Sequence, residues 1–209
     1  MAPVVPRPRA ELHETFGEID IYLFDQLLRG RFDQRPRVLD AGCGDGRNLT
    51  YLLRRGFTCF GIDREPAAIE RVRAFAAQLA PDLPLHNFRA GEIDHLPWDD
   101  ASVDAVVCSA VLHFASNLEH FDGMIQEMWR VLAPGGMLFA RLASNIGLED
   151  AVGAGGRRAR LPDGSDRFVV DEAILLECTR RLRGQLLDPI KTTNVQQQRC
   201  MTTWCLEKR

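Results

Sequence analysis

Two acids end successive apolar runs, Val38-Leu39-Asp40 and Gly61-Ile62-Asp63, and Gly42, Gly44 and Gly46 lie between them. Glycines at a strand-to-helix turn let the backbone bend sharply and approach a ligand closely. An acid at the end of the next apolar run, about 20 residues on, suits a ribose diol. A carboxylate there accepts from both hydroxyls at once. The pattern reads as a nucleoside site on a Rossmann-like sheet.

Glycine spacing separates the nucleoside cofactors. The nicotinamide fingerprint G-x-G-x-x-G delivers backbone N–H groups and a helix N-terminus to a pyrophosphate. Counted from Gly42, Gly44 is in place, but Arg47 stands at the third glycine position. The G-x-G-x-G form preceded by Asp40 resembles that of the class I S-adenosylmethionine (SAM) dependent methyltransferases. Three further strings resemble the same family. They are Ala90-Gly91-Glu92-Ile93-Asp94-His95-Leu96-Pro97-Trp98, Ser102-Val103-Asp104-Ala105-Val106-Val107-Cys108-Ser109 with Val111-Leu112-His113, and Arg130-Val131-Leu132-Ala133-Pro134-Gly135-Gly136.

That resemblance implies roles by position. Asp40, Gly42, Cys43 and Gly44 would surround the methionine part of SAM, with Asp40 favouring its ammonium directly or through water. Asp63 would hold the ribose, and Arg64 would lie against the adenine. Glu92, where aspartate is commoner, would receive the adenine amino group, and the Ile93 N–H a ring nitrogen. Cys108 or Ser109 would offer a backbone carbonyl. Asp104 reads instead as a strand-entry turn residue.

The acceptor side is less specific. His113, on the loop after the fourth strand, is the candidate general base, and equally fits a loop imidazole bonded to backbone. His13 and His120 rank below it, the latter on an expected solvent face. Arg47, Arg141 and Arg199 are placed to receive an acceptor carboxylate or oxyanion, although arginine is abundant on this chain. Gly46-Arg47-Asn48 also resembles tellurite-resistance methyltransferases. Phe16 and Tyr22 lie in an N-terminal helix expected to cover the acceptor.

The elements that must position these residues follow from periodicity. Leu12, Phe16, Ile19, Leu23 and Leu27 recur at helical spacing, predicting one lid helix over 11–30 after a frayed, disordered 1–10. Strands are expected at 38–41, 58–62, 85–89, 103–108 and 137–142, alternating with helices at 47–54, 66–79 and 117–132. Residues 36–142 would be the SAM-binding core. The segment 143–170 reads as an insertion with a hairpin about Asp163-Gly164, and 171–209 as a helix and two strands. The expected fold is α/β, a doubly wound, seven-stranded, mostly parallel sheet with an antiparallel last strand, as the resemblance implies, in a single domain.

Composition limits the partners. In 209 residues, 45% hydrophobic and 26% charged content with net charge −3 gives no basic surface for nucleic acid or membrane. Among 26 basic residues only Lys191 and Lys208 are lysine. The six cysteines show no zinc-ligand spacing, so no metal is expected and a reduced, cytoplasmic setting is. The start lacks an apolar signal core. Cys108-Ser109-Ala110-Val111 stands where amino-group methyltransferases of nucleic acid carry Asn/Asp-Pro-Pro-aromatic. The expectation is methylation of a heteroatom of a small molecule by a monomer or homodimer. A SAM-binding regulatory module without turnover, and a nicotinamide oxidoreductase, are the competing readings.

Overall fold

The computed structural model describes residues 8–209. Five strands run parallel in the order β3-β2-β1-β4-β5: β1 Arg37–Ala41, β2 Thr58–Asp63, β3 Phe88–Ala90, β4 Val103–Ser109 and β5 Leu132–Ser144. Of the expected third strand, 85–87 is instead a single 3₁₀ turn, leaving a three-residue edge strand. The last strand, β10 (Arg199–Lys208), is antiparallel to β5. Its outer edge pairs with β8 (Gly184–Leu186) and then β9 (Lys191–Val195). The expected seven strands become eight because 187–190 interrupts the sixth, at a point where Pro189 has no N–H for the ladder.

Alternation along the central strands builds two cores. In β1, Val38 joins one and Leu39 and Ala41 the other; in β4, Ala105 and Val107 oppose Val106 and Cys108. The first face is covered by α2 (Ile21–Leu28), α3 (Thr50–Arg54) and α4 (Pro66–Leu79) through Leu23, Leu52, Ile69 and Val72. The second is covered by α5 (Leu118–Val131) and α7 (Glu172–Arg181) through Phe121, Met128 and Leu175. Asn117 and Asp171 cap the N-termini of these two helices, each accepting a backbone N–H of the first turn.

The N-terminal segment differs from the single helix expected. Residues 1–7 lie outside the described residues, and 8–10, expected to be frayed, open helix α1 (Pro8–Phe16). Gly17, at φ +62°, then breaks the chain. Its missing side chain is required, since a Cβ there would lie 2.3 Å from Thr50 Oγ1. Asp20 restarts the chain as α2 by accepting the Tyr22 N–H at 2.9 Å.

Beyond β5 the chain forms α6 (Glu149–Val152) and a hairpin of β6 (Arg157–Arg160) and β7 (Asp166–Val169). The hairpin turns at Asp163-Gly164 as expected, with Leu161 N–H donating to Ser165 O. This segment has its own small core of Ala143, Leu148, Val152, Ala159, Leu161, Val169 and Cys200. All six cysteines are free and buried. Among the described residues no helix is long and apolar enough to cross a membrane, and no cluster could hold a metal ion. Asp104 lies inside β4, where it accepts from Arg37 Nη2 at 2.6 Å and Arg37 Nε at 3.0 Å.

Candidate active site

A cavity of about 520 Å³ opens at the carboxyl ends of β1, β2, β3 and β4, where ligands bind in open parallel sheets. Its walls include Gly42, Asp63, Arg64, Glu92, Ile93 and Ser109, six of the residues singled out from sequence for a cofactor. The turn after β1 is pinned by Gly42 and Cys43, whose N–H groups both donate to Ile62 O, at 2.8 and 2.9 Å. Gly42 has φ +82°, and a Cβ would lie 2.4 Å from Val111 Cγ2. Only glycine fits there.

Asp63 ends β2 and fixes the turn from the other side. One carboxylate oxygen accepts the Gly44 N–H at 2.9 Å, the other the Glu65 N–H at 3.0 Å. Each oxygen keeps a lone pair, and the residue lines the cavity. Asp40 sits beneath, 1% exposed in the middle of the sheet's ligand edge, and its Oδ2 has no hydrogen-bond partner. Burial raises its pKa to about 7; Arg47 opposes the rise and Asp63 adds to it. A buried carboxyl with an open acceptor suits a cationic group. Cys43 and Cys108 are not in the wall: both are buried, and burial holds their thiols protonated.

On the acceptor side the residues expected from sequence separate. Arg47 lines the cavity beside Gly42, and its Nη2 donates to Ser109 Oγ at 3.1 Å. Ser109 Oγ donates to Asp20 Oδ2 at 2.9 Å, and Arg141 Nη1 donates to the same oxygen at 3.2 Å. The Asp20 N–H donates to Asn48 Oδ1 at 3.0 Å. Tyr22 lies under the Arg141 guanidinium, 4.9 Å from ring centroid to Cζ, with its hydroxyl against Thr193. Asp20 thus joins α2 to the ends of β1, β4 and β5. It was not singled out from sequence, although an aspartate directly before an apolar helix is an N-cap signal.

Three residues lie elsewhere than expected. Arg199 is exposed and faces Asp163 at 3.9 Å. It sits four residues along β10 from the partner of Arg141, about 13 Å past the crevice at strand spacing. Phe16 stacks on Tyr51 at 5.1 Å and meets Phe24 edge-on at 4.8 Å, so it packs the α1–α2 corner and lines a separate hollow there rather than the cavity at the strand ends. His120, expected toward solvent, lines the same cavity as Asp63, with Nδ1 bonded to Ser116. Position on the first turn of α5 turns it inward.

His113 is 6% exposed and outside the cavity wall, and its Nδ1 has no partner. Burial, with the charges of Arg167 and Arg141, lowers its pKa to about 4. The imidazole is neutral throughout the physiological range. Phe114 beside it does reach the cavity, between Arg64 (5.8 Å) and Arg167 of the hairpin (5.1 Å).

Residues 39–140 match the family model for a methyltransferase domain. The chain is 31% identical over 115 residues to an uncharacterized methyltransferase, YodH, of Bacillus subtilis, covering 55% of this chain and 43% of that one. It is 33% identical over 98 residues to 2-heptyl-1-hydroxyquinolin-4(1H)-one methyltransferase of Mycobacteroides abscessus, covering 47% and 42% respectively. The chain therefore spans less than half the length of these curated relatives. Its fold is shared with Burkholderia thailandensis 1,6-didemethyltoxoflavin-N1-methyltransferase, solved with S-adenosylhomocysteine (SAH), at TM-score 0.64 and 18% identity, over 100% of this chain and 92% of that one. Residues 39–140 thus carry the match to a methyltransferase domain, and the relatives that share this stretch are methyltransferases.

Proposed function

We propose that the protein transfers a methyl group from SAM to a heteroatom of a small molecule. The observation that carries this reading is the cavity at the strand ends, with Asp63 on its wall and the buried Asp40 carboxyl, open on one oxygen, beneath it. Asp63 takes the ribose hydroxyls on its remaining lone pairs. Glu92 and the Ile93 backbone, on the loop after β3, take the adenine, with Arg64 against its face. Asp40 favours the methionine ammonium. The bound cofactor supplies a sulfonium, already a good leaving group. The protein's part is then to exclude water and hold the acceptor in line.

The lid made by α1 and α2 and the hairpin wall of β6 and β7 shape the acceptor compartment. A base with pKa near 4 is poorly matched to a hydroxyl proton at neutral pH. The environment of His113 therefore favours an acceptor that is already nucleophilic. His113→Ala should lower kcat less than about tenfold at saturating SAM. A loss of roughly 10²–10⁴, the range for a general base, would instead identify His113 as one.

Calorimetry of the purified chain tests the cofactor reading directly. SAM and SAH should bind at micromolar level or tighter, and NAD should give no signal. Transfer of label from methyl-labelled SAM into a small-molecule fraction of cell extract separates an enzyme from a binding module. Tight NAD binding without SAM binding would overturn the proposal.

A further inference from the structure

Most carboxylates on this chain that meet an arginine do so at the surface; Asp20 does not. Its side chain is 3% exposed, and Ser109 Oγ, Arg141 Nη1 and Arg47 Nη2 surround Oδ2 at 2.9, 3.2 and 4.0 Å. These donors come from β4, β5 and the turn after β1, so fixed strand ends build the seat. Only Asp20 belongs to the lid. Arg47 and Ser109 also line the cavity, so the seat adjoins the place where a methyl group would be delivered.

The seat offers more than Asp20 uses. Arg141 Nε is buried without a hydrogen-bond partner, and so is Nδ1 of His113, itself 6% exposed. A buried guanidinium N–H without a partner is costly, and its persistence on Arg141, which shares the Asp20 oxygen with the cavity-lining Ser109, points to a missing ligand. The charges point the same way. Arg141 and Arg167 both act on His113, and the Arg167 guanidinium bonds only to the Asp166 backbone carbonyl. Two guanidiniums, those of Arg47 and Arg141, thus face one buried carboxylate, and that carboxylate is carried by the N-cap of α2 rather than by the strand ends.

We propose that Asp20 holds the seat of the acceptor's own anionic group, so that the acceptor is a small carboxylate or oxyanion which displaces Asp20 from Arg141 and Ser109. The identity of that anion as acceptor rests on the methyl-transfer reading, whereas the competition itself does not. With the lid down, the carboxylate of Asp20 satisfies the cationic strand ends and keeps the compartment dry. An entering anion takes over those donors and releases α2.

Benzoate serves as the probe and benzamide as its neutral counterpart, titrated by calorimetry into the SAH-saturated full chain at constant ionic strength. Asp20→Asn keeps the cap and the hydrogen bond to Ser109 while removing the charge. It should bind benzoate about tenfold more tightly than the parent, corresponding to about 1.4 kcal/mol. Arg141→Gln should bind none, and benzamide should bind weakly throughout. Hydrogen exchange in 21–28 should rise with benzoate in the parent and be high without it in Asp20→Asn. Asp20→Ser, also a good cap, gives the same comparison should the asparagine variant fold poorly. Unchanged or weaker benzoate binding in the charge-removed variants, or retention in Arg141→Gln, would overturn the proposal. So would equal binding of benzamide, or no benzoate binding anywhere while SAH still binds. Failure of SAH to bind the parent would count against the methyltransferase reading instead.

Discussion

Asp40→Asn should unfold at a higher temperature than the parent at pH 8 while binding SAM at least tenfold more weakly. In the folded chain this carboxyl titrates at about 7, against an ordinary value of 3.8, because it is shut away from water. Between those values the native state holds a proton that the unfolded chain has released. Stability therefore falls as pH rises through that window, and the full deficit stands above pH 7. At about 1.36 kcal/mol per pH unit, the deficit is on the order of 4 kcal/mol. An amide of the same shape carries no such deficit. Below about pH 3 Asp40 is protonated in both the folded and the unfolded chain, so the advantage of the variant should shrink toward zero. Thermal unfolding at the two pH values, paired with calorimetry, checks both halves. A stabilisation independent of pH would contradict the burial argument, and undiminished affinity would place the ammonium elsewhere.

Asp63→Ala carries the other large effect. Loss of hydrogen bonds from a charged acceptor to the ribose should weaken SAH by about 1.5–3 kcal/mol, roughly 10–150-fold. The same carboxylate also receives the N–H groups of Gly44 and Glu65, so a loosened turn would contribute to that loss. The 2′-deoxy analogue of SAH separates the two causes. The parent should prefer SAH to the analogue, whereas the alanine variant should bind both about equally. Retained discrimination would show that another group reads the hydroxyl.

The part of the molecule legible in the sequence is the part built by local rules. Strand, glycine turn and helix follow one another within about 25 residues from Val38 to Asp63. Their hydrogen bonds, such as Gly42 N–H to Ile62 O, join neighbouring elements. Periodicity and turn chemistry suffice there. Asp20 shows where such reading stops. Its cap role is local, but its partners Ser109 and Arg141 lie 89 and 121 residues away. No spacing rule reaches that far. The lid was read as one helix because apolar residues kept helical spacing through Gly17, whose need for a positive φ and contact with Thr50 is tertiary. Arg199 was misplaced for a metric reason, since β5 and β10 run on together past the crevice. The low proton affinity of His113 arises first from burial and then from the hairpin's Arg167 and from Arg141, and so depends on how the 157–169 segment folds back.

That segment's separate small core has an evolutionary corollary. Leu148, Val152, Ala159, Leu161 and Val169 bury one another together with Ala143 and Cys200, and only Phe168 of the hairpin enters a large core, where it stacks on Phe121. Residues at its tip and edges are thus released from the packing constraints that fix the cofactor turn, so the wall can drift, lengthen or be exchanged as a unit. A chimera that replaces 145–167 with the corresponding loop of another methyltransferase, keeping Phe168 in the main core, should keep its cofactor affinity and acquire a different acceptor range, making this stretch the natural cassette for retargeting the enzyme.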